Sequence, residues 1–175
     1  MTSKNFKNRL ESDSYFMNEA LLERIKTDDP KGKIVHQSAV GAVIEKEGNI
    51  LARSANVLPP KLKNKMEDSS HKISDNDRYF IIEHAERAAI YNGLMKGQIL
   101  DGATIYCTRF PCSDCARAIV WAGIKRAVFA GGFAGEQRWL ESQRAALRIL
   151  RDSGVTVRYL SLPKSAKQQN LNNFI

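Results

Sequence analysis

Two short stretches of the chain carry soft and basic groups at spacings that suit a metal: His84-Ala85-Glu86 and Pro111-Cys112-Ser113-Asp114-Cys115. Two thiolates and one neutral imidazole offset the charge of a zinc ion and leave its fourth tetrahedral position to water. Water held there ionises near neutral pH and becomes a nucleophile. A neighbouring carboxylate must then take the water's proton and deliver it to the substrate and to the leaving group. Glu86 is the residue for that role, so it is expected to stay off the metal. The reading is one Zn²⁺ per chain, held by His84, Cys112 and Cys115, with Glu86 catalytic.

Spacing supports this chemistry. Cys112 and Cys115 are three apart, so a helix projects both from one face. Near that helix's N-terminus, the backbone dipoles favour the thiolate form. His84 and Glu86 are two apart and would point nearly opposite ways within a helix. Both reach one site only at a helix end, so His84 is expected in a first turn, with two helix N-termini facing each other across the metal. A lone Cys-x-x-Cys also suits a redox pair, and a closed structural zinc site would need a fourth ligand. Cys107, His36, His71 and the carboxylates are the candidates. Cys107 falls in a strand and reads as buried packing; His36 and His71 read as surface residues. The two motifs together, in the order helix, strand, helix, are far more specific than either alone.

The elements that must position these groups follow from periodicity. Apolar residues at Phe16, Ala20, Leu21 and Ile25 predict a helix over residues 14–26, ended by Asp28-Asp29-Pro30-Lys31-Gly32. Val40–Ile44 and Ile50–Ala55 predict a hairpin turning at Glu47-Gly48-Asn49. Residues 59–75 are lysine-rich without apolar periodicity and read as a long surface loop. A helix over 84–95, a strand over 103–110 and a helix opened by Pro111 come next. A strand over 126–130, an amphipathic helix over 136–152 and a strand over 155–160 complete the pattern. This alternation predicts an α/β sandwich around a mixed sheet of about five strands. Residues 1–160 read as a single domain, and the polar tail 161–175 as flexible.

Composition sets the outer limits. The chain has 175 residues, 43% hydrophobic and 26% charged, enough for one core and ordinary for a globular protein. No stretch is apolar enough to span a membrane, and residues 1–13 lack the apolar centre of a secretory signal. Three cysteines do not make a disulfide set. The chain therefore reads as cytoplasmic, with no membrane partner. Its net charge of +8 would draw phosphate-bearing ligands, although solvated lysines account for much of it.

The block His84-Ala85-Glu86-Arg87-Ala88-Ala89-Ile90, with Phe110-Pro111-Cys112-Ser113-Asp114-Cys115-Ala116-Arg117 and Ala122-Gly123-Ile124-Lys125 behind it, resembles the cytidine deaminase superfamily, nearest its deoxycytidylate branch. Val40–Ile44 is similar to that family's first core strand, and Arg78-Tyr79 stands where the branch often has Lys-Tyr. The resemblance covers residues 38–160. It implies a three-layer α/β/α cytidine-deaminase-like fold, one zinc per chain, a homo-oligomer, and hydrolysis of an exocyclic amine, most simply dCMP to dUMP and ammonia. It also implies that Asn56 and the Ala85 backbone amide contact the substrate. Ala88 stands where the family has asparagine, and Asn56 lacks the family's flanking glycines. Other free bases or nucleosides, nucleic-acid editing and a non-enzymatic zinc protein are the alternatives. Arg109 and Trp139 are further residues that could approach a pocket, and Lys61, Lys63 and Lys65 could close over a phosphate.

Overall fold

The computed structural model describes residues 4–34, 38–68, 73–74, 76–131 and 137–161. His36, His71 and the tail from residue 162 lie outside the described residues. The Asn8 side chain accepts from the Glu11 N–H at 2.9 Å and caps helix α1, Arg9–Glu23. The helix starts earlier than its apolar pattern, because its first turn is exposed and held by this cap together with the Lys7 N–H donating to the Glu11 carboxylate at 2.7 Å. A 3₁₀ turn over Arg24–Lys26 ends it. Phe16, Met17, Ala20 and Leu21 are buried on one face, packed on Val43, Tyr106 and Val128.

Strands β1 (Gly41–Lys46) and β2 (Asn49–Ala55) form the expected hairpin. Its turn uses positive φ at Glu47 (54°) and Gly48 (79°), the geometry that matches strand twist. β3 (Thr104–Cys107), β4 (Arg126–Phe129) and β5 (Thr156–Tyr159) complete the sheet in the order β2-β1-β3-β4-β5. β1 is antiparallel to both its neighbours, while β3, β4 and β5 run parallel. The sheet is mixed, as the alternation predicted.

α1 covers one face. Helices α5 (Ala85–Met95), α6 (Ser113–Trp121) and α7 (Gln137–Asp152) belong to the other side. There Ala89, Ile90, Ile119, Ala146 and Leu150 join Ile44, Ile105 and Phe129 in the larger core. The result is three layers, α/β/α. A partly buried ion pair ties α1 to the sheet: Arg126 donates to both Asp13 oxygens at 2.8 and 2.6 Å, and the Tyr106 hydroxyl donates to Asp13 at 2.9 Å.

Two short helices replace segments read as turn and loop, α2 (Pro30–Ile34) and α3 (Pro60–Asp68), and a third, α4 (Arg78–Ile81), precedes α5. α3 corrects part of the loop reading over 59–75. Proline opens both α2 and α3, where its missing N–H costs nothing. Polar α3 has almost no apolar stripe for periodicity to reveal, and the Lys63 ammonium pairs with Asp28 at 2.9 Å.

Candidate active site

Helices α5 and α6 begin side by side beyond the carboxyl end of β3. His84 is the N-cap of α5, one residue before its first turn, with extended backbone (φ −68°, ψ 145°). That break in helical geometry lets His84 and Glu86 share a pocket although they are two apart. Cys112 is likewise the N-cap of α6 (φ −78°, ψ 171°), so Pro111 precedes the helix instead of opening it. Neither cap side chain bonds its own helix end, which leaves imidazole and thiol available to each other.

The ligand atoms of His84, Cys112 and Cys115 lie within 4.8 Å of one another. Both sulfurs stand 3.5 Å from His84 Nδ1. Zinc bonds of about 2.3 Å to sulfur and about 2.05 Å to nitrogen, at a tetrahedral angle, require a sulfur–nitrogen edge of about 3.6 Å. Donor chemistry and spacing both fit zinc. Among the described residues no fourth His, Cys, Asp or Glu joins the trio. Cys107 is wholly buried in the core.

Electrostatics at the trio show what a metal must displace. The Cys115 thiol lowers the pKa of Cys112 to about 4 by donating to it, against the effect of burial and with help from His84. Burial and that same bond push Cys115 well above the ordinary thiol range. The bond to Cys112 raises the His84 pKa, with burial opposing. The metal-free trio thus favours a thiolate on Cys112 and a proton on Cys115, and a metal that takes both sulfurs as thiolates and the imidazole as neutral releases protons on binding. Arg87 sits behind it, donating to Glu83 at 2.6 Å and pairing with Asp114 at 3.5 Å. Burial opposes the Arg87 charge, but Cys115 and Glu83 outweigh it.

Glu86 is 4% exposed, and desolvation raises its carboxyl pKa. It lines the pocket with His84, Ala85 and Cys112. Ala85 is itself fully buried. Asn56 also lines the pocket, with its polar atoms engaged. Its Oδ1 accepts from the Thr27 hydroxyl and the Val40 N–H, each at 2.9 Å; its Nδ2 makes only long bonds, 3.4 Å to Asp29 and to the Ser38 carbonyl.

Arg109 and Trp139 both reach the pocket, whereas Lys61, Lys63 and Lys65 do not line it. Sequence reasoning missed Asp29, Lys31 and Gln143, which do, and gave Arg78 no site role. Arg78 is buried beside Asp29 at 2.7 Å and also donates to the Tyr79 hydroxyl. No local pattern marks these residues, because α2, α4 and α7 converge only in the fold.

The family model of the cytidine and deoxycytidylate deaminase zinc-binding region matches residues 10–131. The deoxycytidylate deaminase of Pongo abelii is 31% identical over 165 residues, covering 90% of this chain and 84% of that protein. The Saccharomyces cerevisiae deoxycytidylate deaminase is 26% identical over 159 residues; the match covers 89% of this chain but only 46% of the yeast protein. The dCMP deaminase of cyanophage S-TIM5, solved with dCMP and dUMP, aligns with a TM-score of 0.67 at 24% identity, over 87% of this chain and 99% of that one. At that identity the likeness concerns the fold.

Proposed function

Because the chain belongs to the cytidine and deoxycytidylate deaminase family, we propose that it hydrolyses the exocyclic amine of a pyrimidine nucleotide, most simply dCMP to dUMP and ammonia. The observation that carries this reading is the buried Glu86 beside a three-ligand zinc trio in one pocket. His84 Nδ1, Cys112 Sγ and Cys115 Sγ hold the metal. Zinc, when bound, supplies the Lewis acidity that brings water's ionisation towards neutral pH. Glu86 moves protons from water, first to ring nitrogen N3 and then to the departing amine. The C4–N bond is exchanged for a C4–O bond, and NH₃ leaves. Burial suits Glu86 to this task, because a carboxyl with a raised pKa can hold the proton it must return. The Ala85 amide and Asn56 contact the base or sugar, Asn56 exchanging its long Nδ2 bonds for substrate oxygens.

Lys31 and Arg109 line the same pocket and give a nucleotide phosphate cationic partners. The decisive experiment compares kcat/KM for dCMP, deoxycytidine and single-stranded DNA. dCMP is expected to rank first, and Arg109→Ala to lower its kcat/KM by about tenfold or more with deoxycytidine little changed. A preference for deoxycytidine would reject the nucleotide reading. Tyr79, Phe80 and Trp139 line an open cleft beside the pocket, and Phe80 is 88% exposed. That cleft favours a second reading, in which a neighbouring base of single-stranded nucleic acid stacks there. Best turnover on the DNA would select it.

We assign the activity to a single domain over residues 1–160, working in the cytoplasm, where unbridged cysteines stay reduced. Among the described residues no helix is long and apolar enough to cross a membrane. We also propose a homo-oligomer. Tyr91, Leu94 and Met95 of α5 and Trp121 of α6 are exposed, Trp121 by 89%. Beside them Arg87 and Arg117 are already paired with Asp114, so two such faces can meet without strong like-charge repulsion. Trp121→Asp is expected to shift the protein to monomer in sedimentation velocity; unchanged sedimentation would place the interface elsewhere.

A further inference from the structure

The α6 N-terminus carries both cysteines, and the thiol of its N-cap residue Cys112 faces His84 at 3.5 Å. The free Ser113 N–H finds its partner on another helix: it donates to Ser142 Oγ at 2.9 Å, and the two serine hydroxyls lie 3.1 Å apart. Ser142 belongs to α7, where its neighbours on the helix surface also meet the site. Trp139 stands edge-on to His84 with ring centroids 6.1 Å apart, and Gln143 Nε2 donates to the Phe110 carbonyl at 3.2 Å. Positions 139, 142 and 143 share one helix face, and that face meets His84 at the start of α5 as well as Phe110 and Ser113 on either side of Cys112. All three residues lie beyond position 131, where the family match ends.

We infer that Ser142 is a positioning residue for the zinc thiolates. It bonds to Ser113, between the two cysteines, and does not line the pocket. Its hydroxyl takes up the N–H of Ser113, the first residue of α6, and so fixes the end of α6 in the register where Cys112 and Cys115 both reach His84 Nδ1. A helix's first N–H groups have no partner within the helix, so an acceptor brought from another element holds its end in place. Partners that orient metal ligands from behind alter affinity by about 10- to 100-fold when lost. This inference rests on the ligand roles of His84, Cys112 and Cys115, not on the substrate.

The test measures zinc affinity by chelator competition on the full-length parent, Ser142→Ala and Ser142→Thr, together with thermal melts of the metal-free proteins. Ser142→Ala is expected to bind zinc about tenfold more weakly, and Ser142→Thr, which keeps the hydroxyl, to stay within about threefold of the parent. A Ser142→Ala protein that melts lower but binds zinc like the parent has lost only a structural contact, and overturns the inference. Equal weakening in both variants also overturns it, since the hydroxyl would then not be the cause. A parent protein that binds no zinc would instead defeat the ligand assignment itself.

Discussion

Glu86→Gln is expected to lower kcat by about 10²- to 10⁴-fold while the protein keeps about one zinc per chain. Glutamine preserves the size and most of the hydrogen bonding of the side chain but cannot carry a proton. The carboxyl is 4% exposed and burial raises its pKa, so bulk water cannot readily replace it as a shuttle. Its oxygens are not part of the group formed by His84, Cys112 and Cys115, which is why the metal should remain. KM should move little, because the substitution leaves the pocket's shape intact. Metal analysis and steady-state kinetics on one preparation decide the matter. Loss of zinc would recast Glu86 as a ligand, and near-parental turnover would remove it from the proton path.

The metal trio was legible in the sequence because each of its constraints is local. Cys112 and Cys115 occupy one helical turn, and the awkward spacing of His84 and Glu86 already demanded a helix end. The structure refines that demand by one residue: His84 is the cap and not part of the first turn. The substrate end of the pocket was far less legible. Asp29 and Arg78 are 49 positions apart and meet only because α2 and α4 flank the same opening. Asn56 was picked out by resemblance, but its partners Thr27, Val40 and Ser38 come from a connection with little regular structure. α3 escaped detection because its lysine-rich sequence, Pro60 to Asp68, displays no apolar stripe. Ser142 is a serine in an amphipathic helix, and nothing in its neighbourhood announces that it caps another one.

Gly41→Ala is expected to destabilise the protein by about 3 kcal/mol or more, lowering the melting temperature by about 10 °C for a domain of this size. Gly41 is the first residue of β1, and the end of α1 lies directly on it. A Cβ there would come within 2.0 Å of the Ala20 carbonyl oxygen and 2.7 Å of the Arg24 nitrogen. Both are backbone atoms, so no side chain can swing aside to relieve the clash. The helix must lift or the strand must slide, and either movement reaches the pocket. Gly41 donates to the Thr108 hydroxyl at 3.1 Å and accepts from the Thr108 N–H at 3.0 Å, just before the loop that leads to Cys112. Its neighbour Val40 lines the pocket and exchanges backbone and side-chain bonds with Asn56. Gly154→Ala provides the contrast: φ there is +76° but no atom lies within 4 Å of the added carbon. Only backbone strain then opposes the change, worth about 1–2 kcal/mol. Denaturant melts of both variants separate the two causes, with Gly41→Ala the more severe and the only one expected to weaken substrate binding. A Gly41→Ala protein that melts within about 2 °C of the parent would mean that α1 is not pressed against β1 as the structure has it.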